Sequence, residues 1–480
     1  MSNVIVIGAG LAGSLLSIYL AKRGINVDVY EARGDMRKAD VAAGRSINLA
    51  LSDRGIAALR EVGMDEYMLS EAIPMHGRMI HSVSGETKLL PYSGRTGEYI
   101  NSVSRAGLNI ALMNEAEKYP GVQFIFNERC VDFDCASGEA MFESGRSRRA
   151  DTVIATDGAG SAVRQSMEKK LPGFESKSVF LEHGYKELHI PPGPNGEFLL
   201  EKNALDIWPR HQFMMIALPN FDRSFTCTLF LAKKSSPPSE GGVAGFGSPP
   251  GLRRGADASS AGWSADGVVL PATDVRAFEQ LTDADSVLEF FTREFPDAVP
   301  FMPTLVEDFF GNPTGELGTV KCWPWNVGAK SLLLGDSAHA VVPFYGQGMN
   351  CAFEDVRVLD SLIEKHDTNW EMAYDEYGQL RKVNTDAIAD MAEENFYEMR
   401  DRVADPVFQR KRELETKLEQ KYPDYFSKYS MVTFREDLPY SVAKEKGNAQ
   451  DELLMEICSR VDAVDEIDLD DVIKRIHLIS

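Results

Sequence analysis

Only six cysteines occur in 480 residues, at positions 130, 135, 227, 322, 351 and 458. They are too few and too scattered for a disulfide-stapled scaffold. Cys130 and Cys135 have no nearby His pair to complete a zinc site, so free thiols and no metal are expected. Long apolar runs are also missing: no stretch reaches the roughly 18 residues that a membrane-spanning helix needs. The start, MSNVIVIGAG, lacks the basic region of a signal peptide. A soluble, cytoplasmic protein with no membrane anchor is therefore expected. Positive charge is scarce, with 51 Lys and Arg against 73 Asp and Glu, a net charge of -22. Such a field repels polyanions, and no basic patch offsets it, so nucleic acid is not an expected partner. What remains is an ordinary globular composition, 44% hydrophobic and 26% charged, in a chain long enough to bury a large core.

The first 31 residues read as one β-α-β unit. Val4 to Ile7 is a β-branched run suited to a buried parallel strand, and Gly8, Gly10 and Gly13 follow with G-x-G-x-x-G spacing. Each glycine has a mechanical task. Gly8 allows a tight turn, Gly10 lets backbone approach a pyrophosphate, and Gly13 lets the next helix pack against the strand. The helix N-terminus then offers N–H groups to phosphates. Glu31 ends the second strand, placed to accept hydrogen bonds from a ribose diol. Two later segments repeat the pattern of strand, turn and helix. Residues 151–156 run into Asp157-Gly158, and residues 331–334 run into Gly335-Asp336, then His339 and the loop Phe344-Tyr345-Gly346-Gln347-Gly348-Met349-Asn350. His339 is read as structural or ligand-adjacent rather than as a base. Alternating segments such as Phe213 to Leu218 and Ser224 to Leu231 suggest an antiparallel sheet. Residues 235–273 hold eight Gly, five Pro and seven Ser and read as a flexible surface insert. From about Ser361 the chain reads as helical.

GAGLAG with Glu31-Ala32-Arg33, the Asp157-Gly158 turn, GDSAH (335–339) and PFYGQGMN (343–350) occur in this order. Together they resemble the single-component flavin-dependent aromatic hydroxylases of the p-hydroxybenzoate hydroxylase fold. GRSINLALSDRG (44–55), HGRMIH (76–81), SVSRAGLN (102–109), HGYKEL (183–188), ENFYEMRDRV (394–403) and KYSMVTF (428–434) narrow the likeness to the kynurenine 3-monooxygenase family.

The resemblance implies an α/β fold: a Rossmann-like FAD-binding domain (1–72, 102–180 and 300–365) interleaved with a mixed or antiparallel-sheet substrate domain (73–101 and 181–299), plus a C-terminal helical region (366–480). It implies bound FAD, NADPH as reductant, and O2 and L-kynurenine as substrates, with hydroxylation at position 3 through a flavin C4a-hydroperoxide. Residue by residue, it implies that Arg78 and Tyr92 bind the substrate carboxylate, while Asn395 and Tyr429 supply further polar contacts. Phe344, Tyr345 and Met399 are expected around the ring. Arg33, Arg105, Asp157, Gly335, Asp336, Gly348, Met349 and Asn350 join Gly8, Gly10, Gly13 and Glu31 as expected FAD contacts. A guanidinium fork suits a carboxylate in a way that Lys cannot reproduce. Two alternatives stay open at this point: a related hydroxylase of a ring-substituted kynurenine, which Tyr345 keeps in view, and a non-enzymatic flavin-binding sensor.

Overall fold

The structure, a computed structural model, describes residues 2–38, 48–235, 277–403 and 405–479. The insert expected at 235–273 lies outside the described residues except for Ser235, as do residues 44–47 of the GRSINLALSDRG block.

Five strands form a wholly parallel sheet in the order Ser331–Leu333, Thr152–Ala155, Asn3–Ile7, Asn26–Glu31, Val122–Phe126. The β-branched run at its centre is sealed on both faces, with Val4 and Val6 fully buried, as a parallel sheet covered by helices requires. The three strand-turn segments recognised in the sequence are thus three adjacent strands. Ile7 pairs with Ala155 and Tyr30, and Ala155 pairs with Leu333. That register ends the strands level with one another. The loops at Gly8, Asp157 and Gly335 therefore meet at one carboxyl edge, beside the strand where the winding reverses.

A second sheet has seven strands: Gly315–Trp323, Glu175–Ile190, Phe225–Ala232, Met214–Pro219, Ala204–Pro209, Gly77–His81 and Thr87–Pro91. Its pairs are antiparallel except Ala204–Pro209 with Gly77–His81, so the sheet is mixed. The period-two alternation shows along Ala204–Pro209. Ile207 joins a cluster with Ile80, Phe344, Phe396 and Met399, while Trp208 joins Phe213, Phe290 and Phe291 on the other face. Gly315–Trp323 pairs into this sheet although the sequence reading grouped 300–365 with the FAD segments, and Glu175–Ile190 runs across the 180/181 boundary. The two glycines explain why this strand is hard to recognise. A Cβ on Gly315 would lie 2.2 Å from Tyr185 Cε1, and one on Gly318 would lie 2.8 Å from Phe180 Cδ1. Cross-strand rings occupy the places where alternating side chains would have signalled a strand.

The C-terminal part is helical: Trp370–Tyr397, a π turn at Glu398–Arg402, Pro406–Lys421, Lys428–Phe434, Tyr440–Cys458 and Leu469–Ile479. The Pro406–Lys421 helix shows how sequence sets such boundaries. Asp405 accepts hydrogen bonds from the N–H groups of Val407 and Phe408, and Pro406 occupies the first helical position. None of the described helices is long and apolar enough to cross a membrane.

Candidate functional site

The glycine loop separates packing needs from a ligand's needs. Gly8 has φ +103°, and a Cβ there would lie 2.6 Å from the Thr156 carbonyl oxygen. A Cβ on Gly13 would lie 2.0 Å from the Gly8 oxygen and 2.5 Å from Thr156 Oγ1. Around Gly10 there is nothing within 4 Å of the Cβ position. The outer two glycines are demanded by the protein itself, and the middle one borders open space at the start of the Leu11–Lys22 helix, whose N-terminus no side chain caps. The donors of that first turn are left for a ligand. Thr156 is a residue that sequence reasoning left without a role. Its hydroxyl donates to the Ile7 and Gly8 carbonyls at 3.0 and 2.9 Å, clamping the loop.

Glu31 is buried beside this loop. One carboxylate oxygen accepts from the Ala9 N–H at 2.9 Å, and the other accepts from Arg33 N and Nε at 2.9 and 2.8 Å. Burial alone would raise its carboxyl; the Arg33 and Ala9 hydrogen bonds hold it below the usual range. Asp336 follows Gly335, whose φ is +63°, at the end of the third strand. Its side chain is exposed, yet protein encloses that space closely enough that desolvation raises the carboxyl, against the pull of the His339 and Arg105 charges. A carboxylate at a strand's carboxyl end suits the hydroxyls of a polyol chain. Asp157 caps the Ala162–Lys170 helix, accepting from Ala162 N at 2.8 Å through Oδ2, while its buried Oδ1 has no partner.

The 346–350 loop turns at Gly346, φ +67°, where a Cβ would come within 3.1 Å of the Ala50 Cβ. The Gly348–Lys365 helix begins within this loop. The Asn350 side chain is used internally: Nδ2 donates to the Ala50 and Gly346 carbonyls, both at 2.8 Å, and Oδ1 accepts from Ser52 N at 2.9 Å. Met349 is half-buried. The open ground at Gly10, the enclosed Asp336 and this loop together fit an extended dinucleotide such as FAD.

A cavity lies between the mixed sheet and the C-terminal helices, lined by Arg78, Tyr345, Asn395, Glu398, Lys428 and Tyr429, among others. Arg78 projects from the Gly77–His81 strand. Its guanidinium carbon is 5.2 Å from the Tyr429 ring centre and 5.9 Å from that of Tyr92. Tyr92 and Tyr429 stack at 5.0 Å, and Tyr345 stacks on Tyr429 at 5.6 Å. Arg78 Nε is buried and unpartnered here, while the Tyr92 hydroxyl lies against Arg78 and Tyr429. Glu398 is the nearest carboxylate, 3.8 Å from Arg78 Nη1. Asn395 donates to the Phe344 carbonyl at 2.6 Å and to Met399 Sδ at 3.4 Å. Phe344 packs on Phe396 at 4.5 Å, forming an apolar wall.

The structure thus brings Arg78, Tyr345, Asn395 and Tyr429 together around one cavity, with Tyr92 stacked behind Tyr429 and Phe344 and Met399 in the adjoining apolar cluster. Sequence reasoning missed Glu398, although it sits inside the ENFYEMRDRV block. It also missed the ionic cluster of Lys411, Glu415, Lys428 and Asp451. Lys428 meets Asp451 at 3.0 Å, Lys411 meets Glu415 at 3.1 Å, and Lys411 also pairs with Asp451. On amphipathic helices such charges read as solvated faces, and no sequence signal turns them inward.

A buried ionic chain runs from His339 to Arg54. His339 Nε2 meets Asp355 Oδ2 at 2.6 Å, Asp355 Oδ1 accepts from Arg381 Nε at 2.7 Å, and Arg381 meets Glu354 at 2.7 Å. Glu354 in turn meets Arg54 at 2.7 Å. His339, Cys351 and Asp355 lie within 4.8 Å of one another, but Arg381 already supplies the cation there. Burial would raise the Asp355 carboxyl; the His339 and Arg381 charges hold it below the usual range. Because that value is depressed, its contribution is present above the unfolded value of about 4 and drains away as pH falls through the folded one. Asp355→Asn is expected to cost about 3 kcal/mol at pH 7 by urea unfolding. The gap from wild type is expected to narrow below about pH 4; a gap independent of pH would show that the charge does not stabilise the fold.

The family described as "FAD binding domain" matches residues 1–229 and 314–392. A kynurenine 3-monooxygenase of Myxococcus xanthus (strain DK1622) is 44% identical, covering 97% of this chain and 93% of that protein. The kynurenine 3-monooxygenase of Dictyostelium discoideum is 40% identical, over 98% of this chain and 97% of its own length. That of Anopheles gambiae is 39% identical, over 95% and 86%. Among solved structures, 2-methyl-3-hydroxypyridine-5-carboxylic acid oxygenase superposes with a TM-score of 0.63 at 19% identity, covering 85% of this chain and 96% of that one. Klebsiella pneumoniae HpxO, complexed with FAD and uric acid, superposes at 0.60 with 19% identity, covering 92% and 97%. At these identities the superpositions show a shared fold.

Proposed function

Since the chain belongs to the kynurenine 3-monooxygenase family, we propose that Arg78, Tyr92 and Tyr429 hold the α-carboxylate of L-kynurenine in the cavity under the C-terminal helices. The protein is an FAD-dependent monooxygenase that hydroxylates kynurenine, with NADPH and O2 as co-substrates. One observation carries the carboxylate assignment: Arg78 Nε is buried with no partner. An unmatched buried donor costs roughly 1–3 kcal/mol, and a bound carboxylate removes that deficit.

Bound FAD supplies the electron transfer and the oxygen activation. The chain's own residues orient and enclose. The Arg78 fork fixes the carboxylate, and the stacked rings of Tyr92, Tyr429 and Tyr345 limit how the substrate can tilt. Phe344, Phe396 and Met399 keep water from the ring to be hydroxylated. Glu398, 3.8 Å from Arg78, supplies negative charge on the side where an α-ammonium would lie. Gly10, Glu31 and Asp336 would take the phosphates, ribose and polyol of FAD. The N–H groups opening the Gly348–Lys365 helix would favour negative charge on its ring edge. The six cysteines are free and buried, which suits a reducing compartment, and the cytoplasm is the proposed location.

Purified protein supplied with FAD, NADPH and L-kynurenine is expected to yield a product one oxygen heavier by mass spectrometry. Oxidation of NADPH without that product would defeat this substrate assignment.

A further inference from the structure

The flavin-facing loop carries two side-chain amides, and they are not equally free. Asn350 spends both ends on Ala50, Gly346 and Ser52, as described above. Gln347 is also buried, but only its oxygen is occupied. Its Oε1 accepts from the Tyr440 hydroxyl at 3.0 Å and from the Ser52 hydroxyl at 3.4 Å. The Gln347 NH2 group has no hydrogen-bond partner among the described residues. Tyr440 opens the Tyr440–Cys458 helix and is fully buried. Its ring lies 4.0 Å from the Arg54 guanidinium carbon. Arg54 is fixed in turn by Glu354 at 2.7 Å and by the Val432 carbonyl at 2.9 Å. The Tyr440–Cys458 helix therefore reaches the Gln347 amide through a hydroxyl whose ring packs on the anchored Arg54.

We propose that Tyr440 is a positioning residue for the flavin. By holding the Gln347 oxygen, it turns the Gln347 NH2 outward as the loop's one uncommitted side-chain amide donor to the bound cofactor. This rests on the FAD site proposed above. It makes the C-terminal region part of the cofactor site as well as the roof of the substrate cavity.

The holoenzyme provides the test. Tyr440→Phe keeps the ring against Arg54 and removes only the hydroxyl. The FAD dissociation constant is expected to rise about 3- to 10-fold, the loss of one neutral hydrogen bond. The visible absorption band of the bound flavin is expected to shift, while the KM for L-kynurenine stays unchanged. Gln347→Leu should reproduce both flavin effects, and adding Tyr440→Phe to it should change nothing further, because the hydroxyl acts through that amide. An unshifted band and unaltered FAD affinity in Tyr440→Phe would overturn the inference. So would a full-sized effect of Tyr440→Phe in the Gln347→Leu background. A wild-type protein that takes up no FAD would overturn the site proposal first, and this inference with it.

Discussion

Arg78→Ala is expected to raise the apparent KM for L-kynurenine about 100-fold while FAD affinity stays at the wild-type value. The guanidinium is buried, its Nε has no protein partner, and a charged hydrogen bond of this kind contributes about 2–3 kcal/mol. Arg78→Lys is expected to recover only part of the loss, since a single ammonium cannot reproduce a two-point fork. Steady-state kinetics against a flavin titration separates the two sites. An unchanged KM would remove Arg78 from the substrate cavity, and a parallel loss of FAD would show that the variant has disturbed the fold instead.

Gly13→Ala and Gly10→Ala are expected to lose FAD for different reasons. A Cβ on Gly13 would meet the Gly8 carbonyl oxygen at 2.0 Å, so the first helix must move off the strand. Overpacking of this kind costs about 1–3 kcal/mol, and the variant is expected to unfold at lower urea and to purify with less than about a tenth of the wild-type flavin. A Cβ on Gly10 meets nothing within 4 Å, so the apoprotein's stability should be unaltered. FAD binding should nevertheless fall, because that space is where the pyrophosphate approaches. Gly10→Ala protein with normal FAD affinity would show that the dinucleotide does not use this loop.

The readable parts of the molecule were those where one local mechanism leaves a fixed spacing. The glycine loop, the acid at Glu31 and the three level strand ends are of this kind. Their sequence signals and structural positions agree because each depends on a turn or a phosphate-binding geometry within a few residues. The Gly315–Trp323 strand was harder to read, because Tyr185 and Phe180 from a strand more than a hundred positions earlier fill the places above its glycines. The cavity wall was harder still. Lys411, Lys428 and Asp451 carry no spacing that distinguishes an inward ion cluster from a solvated helix face. Nor does anything near Tyr440 announce that its hydroxyl meets Gln347. These contacts exist only once distant helices have packed.

The most direct measurement compares L-kynurenine with its decarboxylated analogue in wild type and in Arg78→Ala, as the ratio of kcat/KM for the two substrates. If Arg78 and Tyr92 hold the carboxylate, wild type should prefer L-kynurenine by about two orders of magnitude, and the preference should fall to within a few-fold in the variant. An equal preference in both proteins would contradict the account and place the carboxylate elsewhere.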